Sequence, residues 1–263
     1  MEIDLLLLTI YFICVGYVIY QMAQSVVDEL EDQVKVIPDQ ETLNASVRDQ
    51  LARQGLDPEM VEVVAVAPPP LRPAGALKLT VPRPKTPQHP AGTDNAGQMM
   101  VQVLPQGPYP LQPIKQLTVQ VLNQTQNLQI SVDWDRSSFT RMNNQTRRVI
   151  RQIPGLHQDL SLPQVASVVN PNQILNVALT IEETFSRDAT TQVLQNTSPL
   201  IDINQLMAFP PTMRVYALDL VVQLIPVTGR GFRPIMLLLP FRFRVESLPA
   251  TPRIPYLAKL VRR

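Results

Sequence analysis

The sequence predicts a mainly β protein: an antiparallel β-sandwich towards the C-terminus, preceded by one N-terminal transmembrane helix and a proline-rich linker. Three observations predict it. Residues 5–20 read LLLLTIYFICVGYVIY, without a charged side chain. Residues 67–113 hold 12 prolines in 47 positions. From Ile114 onward, apolar and polar residues alternate at period two in one segment after another, as half-buried strands do.

Gln21, Met22 and Ala23 extend the apolar run to residue 23. About 20 such residues, each rising ~1.5 Å in a helix, match a hydrocarbon core of ~30 Å. The expected membrane-spanning side chains are Leu5, Leu6, Leu7, Leu8, Ile10, Phe12, Val15, Val18 and Tyr20, and the partner of residues 5–23 is membrane lipid. Glu2 and Asp4 precede the run and no base does, unlike the positive start of a secretory signal. Ala23-Gln24-Ser25 resembles a cleavage site, so removal of the run is the competing reading. Met22, Val26, Val27, Leu30 and Val34 continue at helical spacing, which predicts a juxtamembrane extension and a first segment of 1–35. Lys35, Arg48 and Arg53 follow the run, so the positive-inside tendency favours a cytoplasmic body. Cys14 is the only cysteine, which excludes a disulfide framework. Four Asn-x-Ser/Thr sequons, at Asn44, Asn123, Asn144 and Asn196, would suit a secreted chain, but a sequence rich in Asn, Gln and Thr produces them by chance as well.

Residues 36–66 read as a small helix-plus-strand segment. Pro38 and Asp39 open it, Leu43, Val47 and Leu51 recur on one helical face, Gly55 stops the helix, and residues 60–66 are β-rich. Proline lacks the amide donor and fixes φ, so residues 67–113 read as an extended spacer. ALKLTV (76–81) and MMVQVL (99–104) are candidate short strands inside it. The sandwich is assigned to residues 114–250. Its strands are expected at 117–124, 128–134, 147–153, 174–183, 214–227 and 235–248, with a short turn at 124–127 and another at Gly229 and Gly231. Residues 251–263 form a basic tail. The net charge is +1, but residues 24–66 carry ten acids against three bases, and residues 226–263 carry eight bases against Glu246. This polarity could orient the body on a charged surface.

One stretch resembles a known pattern. Asn123-Gln124 ends a strand, Val132-Asp133-Trp134-Asp135-Arg136-Ser137-Ser138-Phe139 ends the next, and Arg147-Arg148-Val149-Ile150 follows. With the turn at Val169-Asn170-Pro171-Asn172-Gln173, residues 117–173 resemble uncharacterised bacterial membrane-anchored envelope proteins with an immunoglobulin-like β-sandwich. The resemblance implies that fold and no established reaction. Many of those proteins are lipoproteins, and this chain lacks their lipid-attachment motif.

No stretch carries a recognisable catalytic or cofactor motif. Asp133 and Asp135 would share one face of a strand, with Trp134 on the other. Such a pair can perform acid–base chemistry if a cleft separates the two pKa values, which makes a membrane-tethered hydrolase one alternative. The plainer reading is a buried Trp134 with two acids at the rim, balanced by nearby arginines including Arg147 and Arg148. Ser137-Ser138 lacks a nucleophile elbow, and His89 and His157 lack ligand partners at helical spacing, so neither serine catalysis nor a metal is expected. Arg242 and Arg244 alternate with Phe241 and Phe243, as nucleic-acid platforms do. A strand with one core face and one solvated face reads the same way, and the neutral composition favours it, so no nucleic-acid partner is expected. Lys259, Arg262 and Arg263 could dock the tail on lipid or protein. The resulting expectation is a non-enzymatic, single-pass membrane protein without a cofactor. It would act as a binding or assembly module with a protein partner, through Trp134, the four arginines above and the tail. A structural subunit docked through the N-terminal helix is the other alternative.

Overall fold

The computed structural model describes residues 8, 10–22, 33–66, 74–82, 95–142, 144–153, 160, 162–188, 194–227 and 234–248. Residues 10–22 are helical (α1). Then follow β1 (Gln33–Pro38), α2 (Gln40–Arg53), β2 (Val61–Val66), β3 (Ala74–Pro82), β4 (Asn95–Leu104), β5 (Gly107–Pro110), β6 (Leu117–Asn123), β7 (Leu128–Thr140), β8 (Thr146–Gln152) and β9 (Ser167–Val169). The chain continues with β10 (Gln173–Ile181), β11 (Phe185–Arg187), β12 (Leu194–Asn196), α3 (Ile203–Met207), β13 (Val215–Pro226) and β14 (Ile235–Ser247). Twelve strands form one curled antiparallel sheet in the order β2-β3-β4-β6-β10-β8-β7-β13-β14-β1-β5, with β9 beside β7. β11 and β12 pair as a separate ribbon.

The expected strands from 117 to 248 are present; β6 buries alternate side chains, with Leu117, Val119 and Val121 facing the core, whereas β8, β10 and β13 also bury adjacent ones. Three sequence boundaries change. Residues 67–113 are not only a spacer, because they supply β3, β4 and β5. The candidate strands at 76–81 and 99–104 lie within β3 and β4, and their Leu77, Leu79, Met99, Val101 and Val103 are fully buried. Prolines do dominate β5, where Pro108 and Pro110 sit at the sheet's end, the place where a strand tolerates a missing donor. The boundary at 113/114 falls between paired strands, since β4 pairs with β6. Gln33, Val34 and Lys35 belong to β1 rather than to a helical extension, because Val34 and Val36 alternate into the core. The turn at Gly229 and Gly231 lies outside the described residues.

The segment 36–66 is not a separate unit. β1 pairs with β14, and α2 packs on β14 at one side and on β2 at the other. Asp39 caps α2 by accepting hydrogen bonds from Thr42 N (3.0 Å) and Thr42 Oγ1 (2.7 Å). Gly55 ends it at φ +73°, with Leu56 N donating to Leu51 O at 2.9 Å. Leu43, Val47 and Leu51 face inward. Gln50 serves as a side-chain strand partner for β14: its Nε2 donates to Leu238 O (2.7 Å) and its Oε1 accepts from Leu238 N (2.8 Å). Gln54 Nε2 donates to Met236 O (2.8 Å), and Arg48 reaches Val61 O on β2 (3.5 Å). The helix thus bridges two strands that lie far apart in the sheet order, and it satisfies backbone groups that would otherwise form an open edge.

The β6–β7 turn is a buried polar node. Asn123 Nδ2 donates to Leu128 O (2.8 Å) and Val169 O (2.9 Å), while Asn123 Oδ1 accepts from Thr125 N (3.0 Å) and Thr125 Oγ1 (2.6 Å). Gly97 lies against this turn at φ +132°, where a Cβ would stand 2.4 Å from Thr125 Cα.

Among the described residues, no helix is long and apolar enough to cross a membrane; the described part of the N-terminal run is residue 8 and α1.

Candidate functional site

The Asp-Trp-Asp motif forms a large bulge in β7. Asp219 of β13 stands opposite Ser138 and Val221 opposite Asp133, so residues 134–137 span the place of Leu220 alone. Ser137 closes the bulge, with Oγ donating to Asp133 O (2.5 Å) and accepting from Val221 N (3.0 Å). The extra residues switch the inward parity: Leu128, Ile130, Val132 and Trp134 are buried before the bulge, Ser137 and Phe139 after it. Without that switch, Phe139 would point to solvent.

The bulge commits its polar groups. Trp134 is fully buried, and its Nε1 donates to Ser167 Oγ (2.9 Å), which also accepts from Arg151 (2.7 Å). Asp133 pairs with Arg136 (3.5 Å) and accepts from its backbone N–H (3.1 Å). Asp135 accepts from Gln164 N (2.9 Å) and pairs with Arg148 (3.4 Å), which extends to Glu182 (2.8 Å). Arg147 and Arg141 both pair with Glu183, the latter at 2.9 Å. The two expected acids therefore face different counterions, and neither lines any of the three clefts described below. Among the described residues, no group of three or more His, Cys, Asp or Glu is placed to hold a metal. His89 and His157 lie outside the described residues.

Arg242 and Arg244 are exposed on β14, while Phe241 and Phe243 are buried. Phe243 stacks on Tyr216 (5.0 Å between centroids), and Tyr216 meets Phe139 at 6.0 Å. Burial pushes the Tyr216 phenol well above its ordinary range, and its hydroxyl has no hydrogen-bond partner among the described residues. The hydrogen bonds from Thr42 hold Asp39 below the usual carboxylate range, with help from Arg244 and Arg242. Burial raises Asp219, and Arg242 offsets part of that.

Three clefts open beside these elements. One of about 730 Å³ runs between β1, the start of α2 and Arg242 and Arg244. A second of about 620 Å³ lies between Arg214 and Glu246. The third, about 440 Å³, has Tyr216, Met142, Leu200 and Leu206 as apolar lining and Arg141, Glu183, Asp202 and Gln205 as polar lining.

Compared with protein-family models, with curated proteins and with solved structures, the chain matches none.

Of the expected interaction residues, the fold joins Trp134 and Arg148 through the bulge and its neighbours, and it separates them from Arg242 and Arg244 on the far side of β13. Lys259, Arg262 and Arg263, and Leu5, Leu6 and Leu7 of the apolar run, lie outside the described residues. Leu8, Ile10, Phe12, Val18 and Tyr20 are exposed and Val15 is half-buried. Sequence reasoning missed Gln164 and Tyr216. Gln164 sits in an irregular segment with no periodicity. Tyr216 reads as one more strand residue, and only the fold shows its hydroxyl to be orphaned.

Proposed function

We propose that the chain is a single-pass membrane-anchored β protein that acts as a binding or assembly module at the membrane. Residues 5–23 would hold it in lipid, with the body on the cytoplasmic side. The observation that carries this reading is the outward-turned apolar surface of α1. Tyr11, Phe12, Ile13, Tyr17, Ile19 and Met22 are all more than 60% exposed. An uncharged helix that its own protein leaves uncovered needs another apolar partner, and a bilayer supplies one on every side. Gln21 Nε2 donates to Tyr17 Oη at 2.9 Å, which gives the amide one partner within the helix, as a lipid environment favours. Strands β6–β14 are read in this proposal as an immunoglobulin-like sandwich, supported by the buried Trp134 on a central strand. The partner is a protein rather than a nucleic acid, because Phe241 and Phe243 are spent on the core and leave no ring for a base to stack on.

Alkaline carbonate washing of membranes tests the anchor: the intact chain stays in the pellet. Release of unprocessed chain into the supernatant refutes it. Blue-native migration of the solubilised chain then separates a freely exchanging binding module from a fixed subunit, which co-migrates at one large size.

A further inference from the structure

Strand register sets one exposed apolar turn beside the point where the chain enters β1. Arg214 O accepts from Val245 N at 2.9 Å, Val245 pairs with Val36, and Ser247 pairs with Val34. Continued outward, these rows bring the turn Pro211–Met213 level with Gln33–Lys35 at the same end of the sheet, two strands or about 10 Å away. Nine residues, 24–32, separate the apolar run from β1, a reach of at most about 30 Å. The opposite end of the sheet, at Val227, lies about 40 Å further along β13.

Residues 207–213 read MAFPPTM, without a charge. Met213 is 51% exposed, Ala208, Pro210 and Pro211 are exposed, and Phe209 is half-buried. The turn pairs most of its own backbone. Ala208 N donates to Gln205 O (3.2 Å), Phe209 N to Leu206 O (3.2 Å) and Met213 N to Pro210 O (2.9 Å), while the two prolines have no N–H. Phe209 O accepts from Arg214 Nε at 2.7 Å. An apolar turn with its donors paired loses little when water is withdrawn from it.

We infer that this turn is a second membrane contact. Phe209, Pro211 and Met213 seat in the interfacial layer of the bilayer that residues 5–23 span, and they stand the body on its Gln33 end. The inference rests on the anchored reading above. The short connection confines the turn near the lipid surface, which raises its effective concentration there. Arg244 and Lys35 flank the turn, but Asp28, Glu29, Glu31 and Asp32 stand in the connection. Charge therefore does not drive the contact, and a zwitterionic surface suffices.

The test uses the full chain in phosphatidylcholine nanodiscs that carry a nitroxide high on the acyl chain. Cys14→Ala removes the only cysteine, and a fluorescent label is attached through Thr212→Cys or, at the opposite end, Val227→Cys; both positions are exposed. A side chain seated ~5–10 Å into the headgroup region lies beside the nitroxide, so the label at 212 loses about half its emission and the label at 227 none. Met213→Asp puts a carboxylate in the turn, and the loss at 212 shrinks about fivefold, while the thermal midpoint holds because the position is exposed. Equal loss at 212 and 227, no loss at 212, or a loss that survives Met213→Asp overturns the inference and leaves the anchor standing. A chain that does not co-elute with the discs overturns the anchor, and the inference with it.

Discussion

Replacing Asn123 by alanine tests whether the β6–β7 node holds the sheet together. The side chain is fully buried and makes four hydrogen bonds, two given to Leu128 O and Val169 O and two received from Thr125. Leu128 O keeps one donor, Thr125 Oγ1 at 3.1 Å, so the loss there is partial. At about 0.5–1.5 kcal/mol net per bond, and more where a buried group is left bare, Asn123→Ala should cost about 3–4 kcal/mol. That is a large share of the ~5–15 kcal/mol typical of a domain. In urea, with a slope of about 2 kcal/mol per molar, the midpoint falls by roughly 1.5–2 M at unchanged slope. Trp134, the single tryptophan and fully buried, reports the transition by fluorescence. Thr125→Val should cost about 1–2 kcal/mol, since it loses the Oγ1 contacts to Asn123 Oδ1 and Leu128 O and keeps the backbone N–H bond to Oδ1. In the double variant the Oγ1–Oδ1 bond is lost once where the singles each count it, but Leu128 O loses both of its side-chain donors, so the two couplings oppose each other. A loss below about 1 kcal/mol for Asn123→Ala would refute the network.

Three further outcomes follow from the same geometry. Gly97→Ala places a Cβ 2.4 Å from Thr125 Cα at φ +132°, so it should destabilise by at least as much as Asn123→Ala and by the same urea assay; a silent substitution would mean the turn can retreat. Asp39→Ala removes the α2 cap and should cost about 1 kcal/mol at neutral pH. Asp39 titrates below its ordinary 3.8 in the folded state, so its contribution is present above that value and lost as pH falls through the folded one; thermal midpoints of wild type and variant should converge in acid. Asp219 has the opposite sign. Its folded value is raised by burial, so its contribution is present below 3.8 and lost as pH rises; Asp219→Asn should be at least as stable as wild type at pH 7 and lose that advantage near pH 3, and a large loss at pH 7 would show that the carboxylate has an essential partner.

Alternation made some strands legible: where one face is buried and the other wet, period two is written into the residues, as in 117–123, 128–134 and most of 235–247. The strands at 146–152, 173–181 and 215–226 bury adjacent residues and are legible instead as apolar, β-branched runs between turns. α2 was equally legible, since Asp39, the Leu43–Val47–Leu51 stripe and Gly55 are local signals. β5 was not, because Gly-Pro-Tyr-Pro becomes a strand only when β1 stands beside it. The bulge at residues 134–137 was not legible either. It exists because inward even positions in LQISVDW must be reconciled with inward odd positions in SSF, and the break between them looks locally like continued strand. The 440 Å³ cleft was wholly invisible, since Arg141, Glu183, Asp202 and Tyr216 are scattered over 76 positions of the chain.

The residues alone determine the class: a mainly β body with an uncharged apolar run at its start. These properties depend on neighbours within a few positions, and the hydrophobic pattern records them. Tertiary structure decided which strands are neighbours, that the proline-rich stretch joins the sheet, and which polar atoms go without partners. Those depend on pairing across long loops, where many registers satisfy the same local pattern and only the packed core selects one.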